Sequence, residues 1–382
     1  MRVMTVKSPD KLEREVAKLE GTTPTWALLY GVEDCCFAAI MSALRRRYPT
    51  LSVFGTTSFR GIFTRQGFIR DPTLLVADAD DEIVPAIVLQ RATAEEARSK
   101  AQAACHAILK QLGKAPSMLL LHATPGFEER ILAGVHDVFG KDVPLYGGSA
   151  ADDKLAGKWQ VFANGEFCDQ GFLLIGMSKA QPPSGGFLSG YLPTDHGGRV
   201  TRASGRIVYE IDGRPAAEVY NEWTNGAIAT ELGRGGDIMS KTNLLPVGRT
   251  VGNAHAMPRR LLAHPREVVI DGVKALSFFA EFKKGEEVGL MTSTRDPLVS
   301  RVRRAVQRAR GVTRGSPRGA LLVYCAGCLG VMLDKADQIA AEFAQEVGEA
   351  PFVGICTFGE QGTFFEKAES WHGNLMCSAV LF

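Results

Sequence analysis

Ala320-Leu-Leu-Val-Tyr-Cys325-Ala-Gly-Cys328, Pro351-Phe-Val-Gly354-Ile-Cys356-Thr-Phe-Gly359-Glu360-Gln-Gly362 and His372-Gly-Asn374-Leu-Met-Cys377-Ser-Ala-Val-Leu-Phe382 are three short apolar runs, each with a polar cluster at one end. Between the first two, the residues from about Leu329 to Val347 have helical spacing. Short apolar strands separated by a helix of this length are what parallel crossovers in α/β proteins require. In such folds the strand ends converge while their loops vary, so pocket groups collect there.

Working outward, the order strand, helix, strand, glycine loop, strand occurs twice more. Ala27-Leu-Leu-Tyr-Gly31 is followed by a helical stretch from Cys36 to Arg47, by Leu51-Ser-Val-Phe-Gly55 with a Gly/Thr loop, and by Thr73-Leu-Leu-Val-Ala77. Met118-Leu-Leu-Leu-His122 is followed by a helix from about Glu128 to Phe139, by Val143-Pro-Leu-Tyr-Gly147-Gly148, and by Gly171-Phe-Leu-Leu-Ile-Gly176. Phe352-Val-Gly354 and a terminal strand from Leu375 to Phe382 complete the third copy. The fold class is α/β, with mixed sheets flanked by helices. One ancestral unit used three times and convergent patterning both account for the recurrence. The glycine after each second strand permits a sharp turn or a close backbone approach. Pro and Gly from Gln181 to Gly198 mark a boundary or linker. The poorly patterned stretch from Gly233 to about Arg260 reads as extended loops that cover a pocket.

A chain of 382 residues, 45% hydrophobic and 23% charged, is ordinary for a globular protein and long enough for two domains. A formal net charge of +2 supplies no general attraction to nucleic acid or to an anionic membrane. The first ten residues lack an apolar signal core, so no secretory signal is expected, and no apolar run approaches the ~20 residues of a spanning helix. Eight cysteines in that context point to free thiols in a reducing cytoplasm. From Ser300 to Arg310, Val302 and Val306 have helical spacing, which makes the arginines around them the wet face of an amphipathic helix. No aromatics interleave to stack on bases, and docking of an acidic protein partner stays open.

The C-terminal stretch resembles the C-terminal half of the FIST family of bacterial sensory proteins. Pro144-Leu-Tyr-Gly147-Gly148-Ser-Ala-Ala-Asp152 and Val161-Phe-Ala-Asn164-Gly165 resemble its N-terminal half, and Ile211-Asp212-Gly213-Arg-Pro215-Ala-Ala-Glu218-Val-Tyr220-Asn-Glu-Trp223 resembles its central segment. The resemblance implies two halves, 1–196 and 197–382, and a sensor that binds a small molecule in a pocket of strand-end loops. Some stand-alone members of this length bind haem, respond to nitric oxide and control a partner histidine kinase. Output through another signalling protein is therefore expected, and a homodimer is compatible with it. No GxSxG elbow, HExxH or kinase set is present, so a non-enzymatic role is expected.

The candidate ligand residues are Cys325, Gly327, Cys328, Gly359, Glu360, His372 and Asn374, with Gly147, Gly148, Asp152 and Thr57 from the N-terminal half. Cys325 and Cys328 form a CxxC at a strand-to-helix junction, where a thiol tends towards thiolate. With Cys356 and Cys377 they can make a four-thiolate iron–sulfur site, the alternative being that those two are buried hydrophobes. The family commonly has arginine where Cys328 stands. Gly359-Glu360 resembles a family signature; Glu360 can hold a cation, hydrogen-bond an axial histidine or fix its loop. His372 is the leading axial candidate for haem, His264 the competitor and His122 the third. Thr57 with its neighbours, and Gly147-Gly148, can present N–H groups to an anion, but neither matches a nucleotide motif. Tyr220 and Trp223 read as a packed aromatic helix face. A thiol redox sensor, an amino-acid-type binding protein and a small-metabolite enzyme remain as further readings.

Overall fold

The computed structural model describes residues 1–7, 11–179, 183–254, 257–311, 315–364 and 369–382. In each of three units, two parallel strands flank a helical crossover and a third strand runs antiparallel beside the first. The first unit has Pro24–Gly31, helix Phe37–Arg47, Ser52–Thr57 and Thr73–Asp78. The second has Met118–Ala123, helix Glu128–Phe139, Leu145–Gly148 and Gly171–Ser178. The third has Ala320–Cys325, helices Ala326–Gly330 and Ala336–Val347, Phe352–Thr357 and Cys377–Leu381. These are the three copies read from the sequence. The third helix differs: it is broken between Gly330 and Ala336.

The loop before each third strand carries a β-hairpin, and each hairpin joins another unit's sheet. Ile62–Thr64 pairs with Phe352–Thr357, Val161–Ala163 with Ser52–Thr57, and Glu360–Thr363 with Leu145–Gly148. The exchange closes in a ring, first unit to third, third to second and second to first. Each hairpin covers a strand edge that would otherwise be open to wrong pairing. The sequence halves therefore interlock, and the three sheets share one core that includes Trp26, Phe63, Leu120, Tyr146, Tyr324 and Phe352.

Glycine makes the close strand pairing within each unit possible. Gly55, Gly147 and Gly354 stand opposite Leu29, Leu121 and Leu322 in the parallel ladders. A Cβ at Gly55 or Gly147 would lie 1.8 Å from the Leu29 or Leu121 carbonyl oxygen. Gly55→Ala is therefore expected to cost at least about 3 kcal/mol, the upper end for overpacking, read as a lower urea midpoint. An unchanged midpoint would mean that the two strands part freely.

An antiparallel sheet inserted between Tyr191 and helix Arg295–Arg310 has its own core around Val208, Tyr220, Trp223, Leu276 and Phe278. Tyr220 and Trp223 are packed there, and the Tyr220 hydroxyl donates to the Leu245 carbonyl.

Three expectations change. The Pro/Gly stretch is not a linker where it is described: Ser184–Leu188 pairs with Cys377–Leu381, and Leu192–Ser204 is a long strand. Residues 180–182 lie outside the described residues. Its glycines serve packing, since a Cβ on Gly186 would sit 2.0 Å from the Ala305 carbonyl oxygen and one on Gly185 2.3 Å from the Tyr146 ring. The stretch 233–260 is not mainly loop either, because it contains short helices and most of the strands Val247–Ala254 and Met257–Ala263. Finally, Arg301 does not belong to the wet face of its helix. It is fully buried, whereas Arg303 and Arg310 reach Glu342 and the Glu346 carbonyl of the neighbouring helix. No helix among the described residues is long and apolar enough to cross a membrane.

Candidate ligand site

A cavity of about 400 Å³ opens where Ala320–Cys325 and Phe352–Thr357 end. Cys325, Gly327, Thr357, Phe358 and Asn374 line it from the third unit, Phe59, Arg60 and Leu155 from the N-terminal half, and His264 and Phe279 from the inserted sheet. Arg60 and Leu155 hold left-handed backbones, φ 61° and 55°, although neither is glycine. The Asp153 carboxylate accepts from the Arg60 N–H at 2.7 Å and fixes that turn. Strained residues of this kind concentrate where ligands are held.

Two polar groups in the wall lack partners. Asn374 Oδ1 accepts from the His264 backbone N–H at 3.2 Å, but Asn374 Nδ2 is unsatisfied. The Met239 backbone engages the His264 ring, while its Nε2 has no partner. Both side chains are at most 5% exposed. Burial pushes the His264 pKa down to about 4, so the ring is neutral at pH 7.

Behind the wall lies a charged interior. Arg301 Nη1 donates to the Ser189 and Leu375 carbonyls at 2.7 Å, and its guanidinium stacks 4.3 Å from the centre of the Tyr324 ring. Its strongest favourable charge neighbour is Cys328. The Tyr191 hydroxyl lies 3.5 Å from Cys328 Sγ. Burial opposes a Cys328 thiolate, but the neighbouring Cys325 thiol and the Arg301 charge bring its pKa down to about 6. Glu360 is equally buried. It accepts from Thr357 Oγ1 at 2.8 Å and from the Met376 N–H at 2.9 Å, and burial pushes its pKa up to about 8.

The other candidates lie away from the cavity. Gln361 lies 3.0 Å from His372 Nδ1, and the Phe279 carbonyl lies 3.2 Å from Nε2, so both ring nitrogens are engaged. A Cβ on Gly359 would lie 2.3 Å from His372 Cε1, so that glycine makes room for the ring. His122 sits in the core between the Tyr30 hydroxyl and the Gly148 carbonyl, its pKa pushed to about 4 by burial. Asp152 accepts the N–H groups of Lys154, Ala156 and Lys158, and Thr57 Oγ1 accepts from Gln160 N–H. Gly147 and Gly148 pack against Leu121, Thr357 and Val323. These four residues fix backbone.

Cys356 and Cys377 stand opposite Tyr324 on the flanking strands, while Cys325 follows Tyr324 and therefore belongs to the other face. Alternation puts the Cys325 side chain on the sheet face opposite those of Cys356 and Cys377, while Cys328 lies on the following helix. Among the described residues, the one set of three metal-capable groups with donor atoms within 4.8 Å is Glu128, Glu129 and His372. Arg206 already bridges the two glutamates at 2.7 and 2.8 Å, which makes this an ion-pair cluster.

Four buried groups govern the pH response. His122 and His264 have folded pKa values below the unfolded 6.5, so their contribution is complete above pH 6.5 and lost as pH falls towards 4. Cys328 is depressed, so its contribution grows from pH 6 upward. Glu360 is raised, so its contribution is complete below pH 4.5 and lost as pH rises to 8. Stability is expected to fall by about 3 kcal/mol from pH 6.5 to 4.5 and to be flat from 6.5 to 8. Urea titrations across pH test this: Glu360→Gln should turn the plateau into a rise, and a wild-type plateau reaching down to pH 4.5 would contradict it.

The FIST N domain matches residues 26–214 of this chain and the FIST C domain matches residues 216–363. An uncharacterized protein of Methanocaldococcus jannaschii is 40% identical over 91 residues, a match that spans 22% of this chain and 17% of that protein's length.

Proposed function

Since this chain belongs to the FIST family, carrying its N and C domains in order, we propose that it is a signal-transduction sensor whose small ligand occupies the cavity between the three units. The observation that carries this reading is the pair of unpartnered buried groups, His264 Nε2 and Asn374 Nδ2, in one cavity wall. A buried polar group left unsatisfied costs ~1–3 kcal/mol, which a bound ligand recovers. Neutral His264 accepts a hydrogen bond and the Asn374 amide donates one. The complementary ligand presents a donor and an acceptor side by side, with an apolar body against Phe59, Phe279 and Phe358. An amino acid meets this description: ammonium towards His264, carboxylate towards Asn374 and Arg60. The volume lies within the usual range for small-molecule sites.

A thermal-shift panel of the twenty amino acids and their amides tests this. At least one should raise Tm, and His264→Ala should remove the shift. A silent panel, or a shift that survives the substitution, would contradict it.

Haem is a second reading, favoured by His264 alone. Its Nε2 has no partner, whereas both His372 nitrogens are engaged. A bound haem would supply an iron able to take nitric oxide. With haemin, His264→Ala should shift the Soret band and His372→Gln should not; the reverse would return the axial role to His372. Nitric oxide as stimulus and a histidine kinase as recipient belong to this reading.

A further inference from the structure

We propose that Cys325 and Cys328 are a peroxide-reactive dithiol, with Cys325 the sulfur that attacks peroxide in the cavity, Cys328 its resolving partner and Glu360 the proton source. Cys325 lines the cavity at the N-terminus of the short helix Ala326–Gly330, and Cys328 follows it within that helix. Cys328 lies one layer deeper, beside Tyr191 and the buried guanidinium of Arg301, whose Nε and Nη2 have no hydrogen-bond partner. A fully buried arginine needs a counter-charge, and a thiolate at Cys328 supplies it. Glu360 does not reach the cavity itself, but Thr357 does, and its hydroxyl is 2.8 Å from Glu360 Oε1. The interior thus holds a thiol, a thiolate, a proton-bearing carboxyl and a hydroxyl that links the carboxyl to the cavity.

The step balances with hydrogen peroxide as oxidant. The Cys325 sulfur attacks a peroxide oxygen while its proton passes to the neighbouring Cys328 thiolate. The O–O bond breaks, and the departing hydroxide takes the Thr357 hydroxyl proton to become water while the protonated Glu360 Oε1, 2.8 Å away, donates its own proton to Thr357 Oγ1, so that Thr357 ends as the donor to the ionised carboxylate. Cys328 then attacks the sulfenic sulfur of Cys325, its proton leaves with the hydroxyl as a second water, and a disulfide forms. Two sulfurs are oxidised and both peroxide oxygens are reduced. The negative charge moves from Cys328 to Glu360, so Arg301 keeps a counter-charge in both states. The reaction needs no bound ligand and stands apart from the proposed sensing of one.

The test treats the reduced full-length protein with hydrogen peroxide, quenches by alkylation and maps the cysteines by mass spectrometry. A Cys325–Cys328 disulfide, reversed by dithiothreitol, should form at least tenfold faster than Cys105 or Cys377 oxidises. Cys328→Ser should leave Cys325 as a sulfenic acid that dimedone traps, formed at least tenfold more slowly. Glu360→Gln should slow the wild-type step by a similar factor. Oxidation of the half-buried Cys35 and Cys36 while Cys325 and Cys328 still alkylate would overturn the proposal. So would an unchanged Cys325 rate in the Cys328→Ser protein.

Discussion

A protein truncated after Asn374 should lose cooperative folding altogether. Cys377–Leu381 is an interior strand, paired with Ala320–Cys325 on one side and Ser184–Leu188 on the other. Its removal opens two edges within one sheet. Met376, Val380, Leu381 and Phe382 are all buried, and at ~1.5–3 kcal/mol per apolar side chain their loss rivals a typical domain's whole stability of ~5–15 kcal/mol. The cut also removes two backbone groups from the site: the Leu375 carbonyl that accepts from Arg301 and the Met376 N–H that donates to Glu360. Sedimentation and a thermal melt read the outcome. Aggregation without a transition is expected, and a soluble protein with a cooperative melt would mean that the sheet tolerates the gap.

Arg301→Ala should be the most damaging single substitution in the site, at ~3–5 kcal/mol, the range for breaking a buried charge pair. It leaves the Ser189 and Leu375 carbonyls without this donor, empties the space over Tyr324 and strands the Cys328 charge. Adding Cys328→Ser removes that stranded charge. The double variant should therefore lose less than the sum of the two singles, with a coupling of ~1–3 kcal/mol in urea midpoints. Strict additivity would mean that the thiolate is not the arginine's counter-ion.

The strands of all three units were legible because they are short, apolar and bounded by glycine or polar turns. Gly55, Gly147 and Gly354 were read as turn glycines after the second strands, but they lie inside those strands; their purpose, clearance for a neighbouring backbone or for packed side chains, depends on partners far away in sequence. The hairpin exchange was illegible for the same reason: nothing local in Val161–Ala163 says that it pairs with Ser52–Thr57. Arg301 was misread because helical spacing marks its valines as buried, and an arginine among them looks like surface until Cys328 and two carbonyls are brought to it. Of the site, Cys325, Gly327 and Asn374 were legible as strand-end residues. His264 was named as a competitor, and its importance rests on Asn374, which reaches it across 110 positions. Arg60 and Phe59 carried no signal of their own.

The central claim is that a ligand sits between the three units and is held by His264. Calorimetric titration of the amino acid or amide that most raises Tm, into the wild type, His264→Ala and His372→Gln, tests it most directly. The account predicts at least a tenfold loss of affinity for His264→Ala, about 1.4 kcal/mol, with His372→Gln binding as the wild type does. Equal affinity in the wild type and His264→Ala, or a loss confined to His372→Gln, would contradict it.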